Sequence, residues 1–189
     1  MKKVGILGGT FDPPHIGHLI VANEILTALE LDEIRFMPNH TPPHKEKSQG
    51  VSNEDRVEML RLSIEDHPRF SLELIELDSP GTSYTFYTME KLKEKEPNTA
   101  FYFIIGADMI EYLPKWHRID ELVGLVQFVG VQRPPFITDT PYPFELIDAP
   151  LIYLSSSAIR DKVKKGDTIT YLVSPAVEEY IEENSLYET

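Results

Sequence analysis

The sequence predicts an α/β fold, a doubly wound and mostly parallel sheet covered by helices. Three observations predict it. Short apolar runs alternate with stretches of helical apolar spacing along the chain, the order that βαβ units produce. Two of the runs, residues 101–105 and 128–131, are continuously apolar, as strands buried on both faces are. Glycine, proline and histidine crowd the turns after these runs, where doubly wound folds gather their ligand loops.

Each element follows from local pattern. Residues 3–7 read as the first strand and stop at Gly8 and Gly9. Residues 16–29 form a helix with Leu19, Ala22, Leu26 and Leu29 on one stripe. Residues 34–37 are the second strand, closed by Pro38. The polar stretch 39–50, with Pro42 and Pro43, has the composition of a mobile loop. Residues 53–65 form a helix through Val57, Leu60 and Ile64. Residues 70–77 alternate with period two and read as a half-exposed strand. Residues 83–95 read as a helix opened by capping hydroxyls, and Gly106 bounds the strand 101–105. A last strand is expected at 151–154, with the proline-rich stretch 132–150 as an irregular connection. Helices are expected at 156–165 and 176–183, the latter with Pro175 at its first position behind a capping Ser174.

Composition sets outer limits. The 189 residues suit a single domain spanning 1–189. The absence of cysteine excludes a disulfide scaffold, thiolate zinc, an iron–sulfur cluster and a cysteine nucleophile. No apolar run approaches the ~20 residues of a membrane span. The N-terminal apolar run is too short for a signal peptide, so a cytoplasmic location is expected. The net charge of −13 excludes a broad nucleic-acid surface. That charge is unevenly placed: residues 1–61 carry seven basic and nine acidic side chains, and residues 62–189 carry eleven and twenty-two. An anion bound by the first third must be held by local groups against the global field.

The densest signal is the turn from Gly8 to His18, Gly-Gly-Thr-Phe-Asp-Pro-Pro-His-Ile-Gly-His. Two glycines let backbone approach a ligand, two prolines stiffen the entry to a helix, and the helix start offers free N–H groups. Neither GxGxxG nor a Walker A loop is present. His15 and His18 share one helical face. Taken singly, each reads as a group satisfying polar atoms at a helix start. With Asp12 they make three candidate zinc ligands, though without HExxH spacing. Taken with the glycines and prolines, the pair favours a polyphosphate site.

His15-Ile16-Gly17-His18, following Gly8 to Asp12, resembles the HxGH signature of the nucleotidyltransferase superfamily. Ser155-Ser156-Ser157-Ala158-Ile159-Arg160 resembles that superfamily's second signature, ISSTxIR, with Leu154 in place of its Ile and Ser157 in place of its Thr. The segments Pro42 to Lys45, Ser83 to Thr88, Phe103 to Asp108 and Tyr112 to Trp116 are similar to those of bacterial nicotinate-nucleotide adenylyltransferases. The resemblance implies a Rossmann-like nucleotidyltransferase fold. It also implies transfer of adenylyl from ATP to nicotinate mononucleotide, giving nicotinate adenine dinucleotide and pyrophosphate.

The resemblance further implies roles. Catalysis would rest on His15, His18 and Arg160, with His18 at the α-phosphate. ATP would lie on Gly8, Gly9, Thr10, Phe11, Gly106, Asp108, Ser155, Ser156 and Ile159 as well. Asp108 is expected at the ribose hydroxyls or, through water, at magnesium, with helix capping as the plain alternative. The mononucleotide would meet Thr10, Asn39, His44, Lys45, Tyr84, Thr85, Tyr112, Lys115 and Trp116. Trp116, the only tryptophan, offers a flat surface for a pyridine ring, or else is an ordinary core aromatic. Backbone amides near Tyr84, Thr85 and Trp116 would hold the carboxylate. Magnesium would arrive with ATP, and no resident metal is expected. The partners expected are these two nucleotides, with no nucleic-acid polymer and no membrane. The stretch 134–144 would serve a homodimer or an internal cover. Rival readings are another phosphorylated acceptor, a non-catalytic nucleotide sensor and a metal hydrolase.

Overall fold

Alternate side chains of one strand explain how the sheet is covered. In β4 (Thr99–Gly106), Phe101, Phe103 and Ile105 enter one apolar cluster, while Tyr102 and Ile104 enter another. Strand geometry puts neighbours on opposite faces, so an unbroken apolar run demands a layer on each side. The structure, a computed structural model, describes residues 1–40, 51–78, 84–131, 140–150 and 152–188. The strands β1 (Lys2–Gly9), β2 (Glu33–Pro38), β3 (Phe70–Leu72), β4, β5 (Val126–Val131) and β6 (Phe144–Ile147) form one sheet in the order 3-2-1-4-5-6. Every pairing is parallel. Helices α1 (Ile16–Ala28) and α2 (Asn53–Ile64) pack on one face, and α3 (Thr85–Lys95), α4 (Ala107–Ile110) and α5 (Ile119–Leu122) on the other. A third cluster joins α2 to α6 (Ser156–Lys164) and α7 (Pro175–Glu183) through Met59, Ile159, Val177 and Ile181. Among the described residues, no helix is long and apolar enough to cross a membrane.

Four sequence expectations need correction. The alternating run from Phe70 stops being strand at Leu72. In the register that pairs Phe36 with Leu72, the next partners would be Met37 and Pro38, and proline has no N–H for a ladder. Glu73 instead bonds Arg35, which also holds Glu33 and, through two bonds of 2.5 and 2.9 Å, Glu96. The sixth strand is Phe144–Ile147, inside the stretch read as irregular, and residues 152–154 form no strand. This strand pairs on one side only and leaves Glu145 and Leu146 exposed, so it lacks the apolar continuity of an interior strand. Tyr142 and Phe144 pack on the core, which makes this end an internal cover; residues 132–139 lie outside the described residues. Tyr84, not a small hydroxyl residue, takes the N-cap of α3 and makes no side-chain cap bond. Ser174 occupies the N-cap of α7, yet its hydroxyl makes no cap bond.

The turn after β3 buries an acid. Glu76 is 6% exposed and accepts a hydrogen bond from the Thr88 hydroxyl at 3.1 Å. Burial raises its pKa from 4.5 to about 7, and the Thr88 bond opposes part of that rise. Between these values the folded chain keeps a proton that the unfolded chain has lost. Stability therefore falls as pH rises through this window, by on the order of 3 kcal/mol in all. Glu76→Gln keeps an acceptor for Thr88 and removes the ionisation. Thermal melts between pH 5 and pH 8 should show a flatter pH dependence for the variant, and parallel curves would refute the assignment.

Candidate active site

Strand β1 ends on Gly8 and Gly9, and the chain leaves the sheet through Thr10, Phe11 and Asp12. A Cβ at Gly9 would sit 2.9 Å from the Phe11 ring, so the close fold-back requires glycine. Phe11 has φ of 50° and is 2% exposed, and the Asp12–Pro13 peptide is cis. Helix α1 starts immediately afterwards with His15 as its N-cap. The N–H of His15 donates to Nδ1 of His18 at 3.1 Å, and the two rings stack with centroids 3.7 Å apart. Because Nδ1 of His18 accepts, its ring hydrogen resides on Nε2. Phe11 packs edge-on against the His18 ring at 5.0 Å. Gly17 is buried, and a Cβ there would lie 3.0 Å from Nδ1 of His15. The glycine thus makes room for the His15 ring.

The second motif is fastened to the first. Ser155 caps α6, its hydroxyl accepting from the Ala158 N–H at 3.2 Å. The Ser156 hydroxyl donates to the Pro13 carbonyl at 2.8 Å across 143 positions. Arg160 donates to the Asp12 carbonyl at 2.7 Å and to the Ser157 hydroxyl at 3.2 Å. Two helix starts, a guanidinium and two imidazoles are therefore gathered around one turn at the end of a central strand. Helix starts favour anions, so the grouping has the chemistry of a phosphate site. Ile159 is fully buried in the third cluster, so its side chain anchors α6 instead of lining this turn.

Two residues that the sequence did not flag complete the turn. The Tyr187 hydroxyl donates to the Asp12 carboxylate at 2.6 Å in a buried bond. Arg56 is 5% exposed and donates to the carbonyls of Thr10 and Asn39 at 2.6 and 2.8 Å, and to the Asn53 amide oxygen at 2.8 Å. Burial pulls the Arg56 guanidinium below its ordinary pKa, and attraction to Asp12 opposes this. A signal for Arg56 did exist: it stands four residues before Leu60 and eight before Ile64, on the buried stripe of α2. Tyr187 had no comparable local signal. Removing its hydroxyl leaves a buried carboxylate without this donor, so Tyr187→Phe should lose about 2 kcal/mol of stability in denaturant unfolding. An unchanged midpoint would show that the bond contributes nothing.

The second cluster follows β4, the strand beside β1 where the strand order reverses direction. Gly8 and Gly106 are both exposed at these adjacent strand ends. Gly106 is the N-cap of α4, so Asp108 lies within that helix and does not cap it. A 3₁₀ turn, Leu113–Lys115, then delivers Trp116. The indole is half-buried and stands edge-on to Phe103 and Phe128, both at 5.9 Å. It is thus part of the core as well as of the loop. Tyr112 is exposed, with the Lys115 ammonium 5.0 Å from its ring centre. His117 lies 4.5 Å from the ring of Tyr84 and 3.3 Å from the hydroxyl of Tyr87, joining the start of α3, with Thr85, to this loop. Arg118 lies 3.9 Å from the centre of the Phe86 ring. Asn39 is held beside β1, its N–H donating to the Gly9 carbonyl at 2.9 Å. His44 and Lys45 lie outside the described residues. Among the described residues, no three His, Cys, Asp or Glu side chains are grouped to hold a metal, and Asp12 is engaged with Tyr187.

Comparison with known proteins bears on the family and the fold. The cytidylyltransferase-like family model matches residues 6–162. Nicotinate-nucleotide adenylyltransferase from Bacillus subtilis (strain 168) is 53% identical over 189 residues, all of both chains. A Geobacillus kaustophilus protein named "probable nicotinate-nucleotide adenylyltransferase" is 58% identical over 187 residues, 99% of this chain and 87% of its own. Plasmodium falciparum nicotinic acid mononucleotide adenylyltransferase, solved in complex with NaAD, superposes with a TM-score of 0.84 at 25% identity, covering 100% of this chain and 98% of its own. The fold and site define a nucleotidyltransferase of the cytidylyltransferase-like class. Within that class, the chain belongs to the nicotinate-nucleotide adenylyltransferase family.

Proposed function

We propose that the chain transfers the adenylyl group of ATP to the phosphate of nicotinate mononucleotide, releasing pyrophosphate and forming nicotinate adenine dinucleotide. The observation that carries this reading is the fastening of Ser156 and Arg160 to the Pro13 and Asp12 carbonyls beside the stacked His15 and His18. The acceptor phosphate is already an anion, so the reaction needs positioning and charge neutralisation more than a general base. In this reading, the Nε2–H of His18 donates to the α-phosphate as charge builds there, and His15 lies beside it. The start of α6, through Ser155 and Ser156, and the Arg160 guanidinium stabilise the departing pyrophosphate. Gly8, Gly9 and Thr10 face the attacking phosphate. ATP enters as its magnesium complex, the ion being held by phosphates and water as part of the substrate.

The mononucleotide would lie across the loop that carries Tyr112, Lys115 and Trp116, with the amides of Thr85 and its neighbours at the carboxylate. Asp108 is assigned to the ATP ribose. The proposed setting is the cytoplasm, with the protein acting as one chain or as a homodimer, which light scattering would distinguish. The direct test is incubation with ATP and nicotinate mononucleotide, with chromatographic detection of the dinucleotide and of pyrophosphate. Stoichiometric formation of both supports the reading. Turnover only with nicotinamide mononucleotide or phosphopantetheine would overturn it.

A further inference from the structure

We propose that Arg56 is a positioning residue that sets the acceptor side of the site by locking the loops after β1 and β2 together. The inference rests on the reading that Thr10 and Asn39 face the mononucleotide. Arg56 projects from the buried stripe of α2 and donates to oxygens of three separate segments: Thr10, Asn39 and Asn53. All three are neutral oxygens. Only a planar fork of donors spans two backbones in this way, since an ammonium is a single compact point. The N–H of Asn39 closes the same link from the other side by donating to the Gly9 carbonyl. Residues 9 and 10 are therefore tied to residue 39 both directly and through the guanidinium. The Asn39 side-chain oxygen is buried and has no partner among the described residues, so its position depends on the backbone that Arg56 holds.

Energetics point the same way. A buried cation is a costly way to fill a helix stripe that elsewhere carries Met59, Leu60 and Ile64, and an apolar side chain would pack there more favourably. The cost is understandable if the guanidinium serves geometry. Ser156 and Arg160, both assigned to ATP, are fastened separately, through the carbonyls of Pro13 and Asp12. Loosening Arg56 should thus disturb one substrate more than the other.

The test uses Arg56→Lys, which keeps the charge and loses the bridge, and Asn53→Ala, which loses only the third bond. For Arg56→Lys, kcat/KM toward nicotinate mononucleotide should fall about 10²-fold, with KM for ATP within about twofold of wild type. Asn53→Ala should lower the melting temperature without separating the two KM values. A rise of both KM values together in Arg56→Lys would overturn the proposal, as would wild-type kinetics accompanied only by a lower melting temperature. Hydrogen exchange at the Asn39 amide provides a readout independent of turnover. It should speed up in Arg56→Lys, and unchanged exchange would also overturn the proposal. If wild type forms no dinucleotide while exchange responds as expected, the lock stands and the functional reading falls.

Discussion

Replacing His18 by alanine should lower kcat by on the order of 10²–10³-fold while leaving KM for ATP nearly unchanged, the pattern of a lost transition-state donor. The geometry gives this expectation its form. His15 N–H donates to Nδ1 of His18, which fixes the tautomer and leaves Nε2 bearing the hydrogen. The stacked His15 ring and the edge of Phe11 hold the imidazole plane. A donor held in place in the free protein has little reorganisation left to undergo when charge develops on phosphorus. Alanine removes the donor and also deprives the His15 N–H of its acceptor, so part of the loss would be structural. His18→Asn separates the two effects, because its amide oxygen still reaches the His15 N–H while the ring donor is gone. Steady-state kinetics should show comparable kcat losses in both variants, with the melting temperature preserved in the asparagine form. A folded alanine variant that turns over within a few-fold of wild type would remove His18 from the chemistry.

Trp116→Ala should do two things at once. The indole packs edge-on between Phe103 and Phe128, so its loss opens space in the core and should cost about 2–3 kcal/mol, below the value for a fully buried aromatic because Trp116 is half-exposed. The second effect is on binding: KM for nicotinate mononucleotide should rise about tenfold or more, with KM for ATP little changed. Calorimetric or denaturant unfolding measures the first effect and initial-rate kinetics the second. Because the chain has one tryptophan, its fluorescence in the wild type reports the same contact directly. Nicotinate mononucleotide should perturb the emission, whereas ATP alone should not. Equal weakening toward both substrates in the variant would argue that Trp116 supports the loop without meeting the pyridine ring.

Much of this site is visible in the chain itself, because the turn from Gly8 to His18 sets three glycines, two prolines and two histidines within eleven positions. Glycine, proline and histidine at that density follow from local backbone demands, and local demands leave local signals. Strand β4 is equally plain, since burial on both faces leaves no polar position in its interior. The failures share a different cause. Strand β6 is short, lies at the sheet edge and is half exposed, so it lacks the unbroken apolar run that marks an interior strand. Strand β3 ends early because of what faces it, Pro38, and not because of its own residues. Arg56 and Tyr187 act through bonds to residues 46 and 175 positions away, and no periodicity records such a partner. Arg56 at least interrupts an apolar stripe; the pairing of Tyr187 with Asp12 leaves no trace in sequence spacing.

That last pairing has a temporal consequence. The turn that carries both histidines leaves a ribosome 175 residues ahead of the hydroxyl that holds Asp12. At cellular rates of synthesis, that interval is roughly ten to thirty-five seconds. Throughout it the Asp12 carboxylate lacks this donor, and for most of it the serine and arginine of the second motif are absent too. The phosphate turn is thus completed only by residues made long after it. A nascent chain therefore has no finished site with which to bind nucleotide, and maturation of the site coincides with docking of the segment that follows α7.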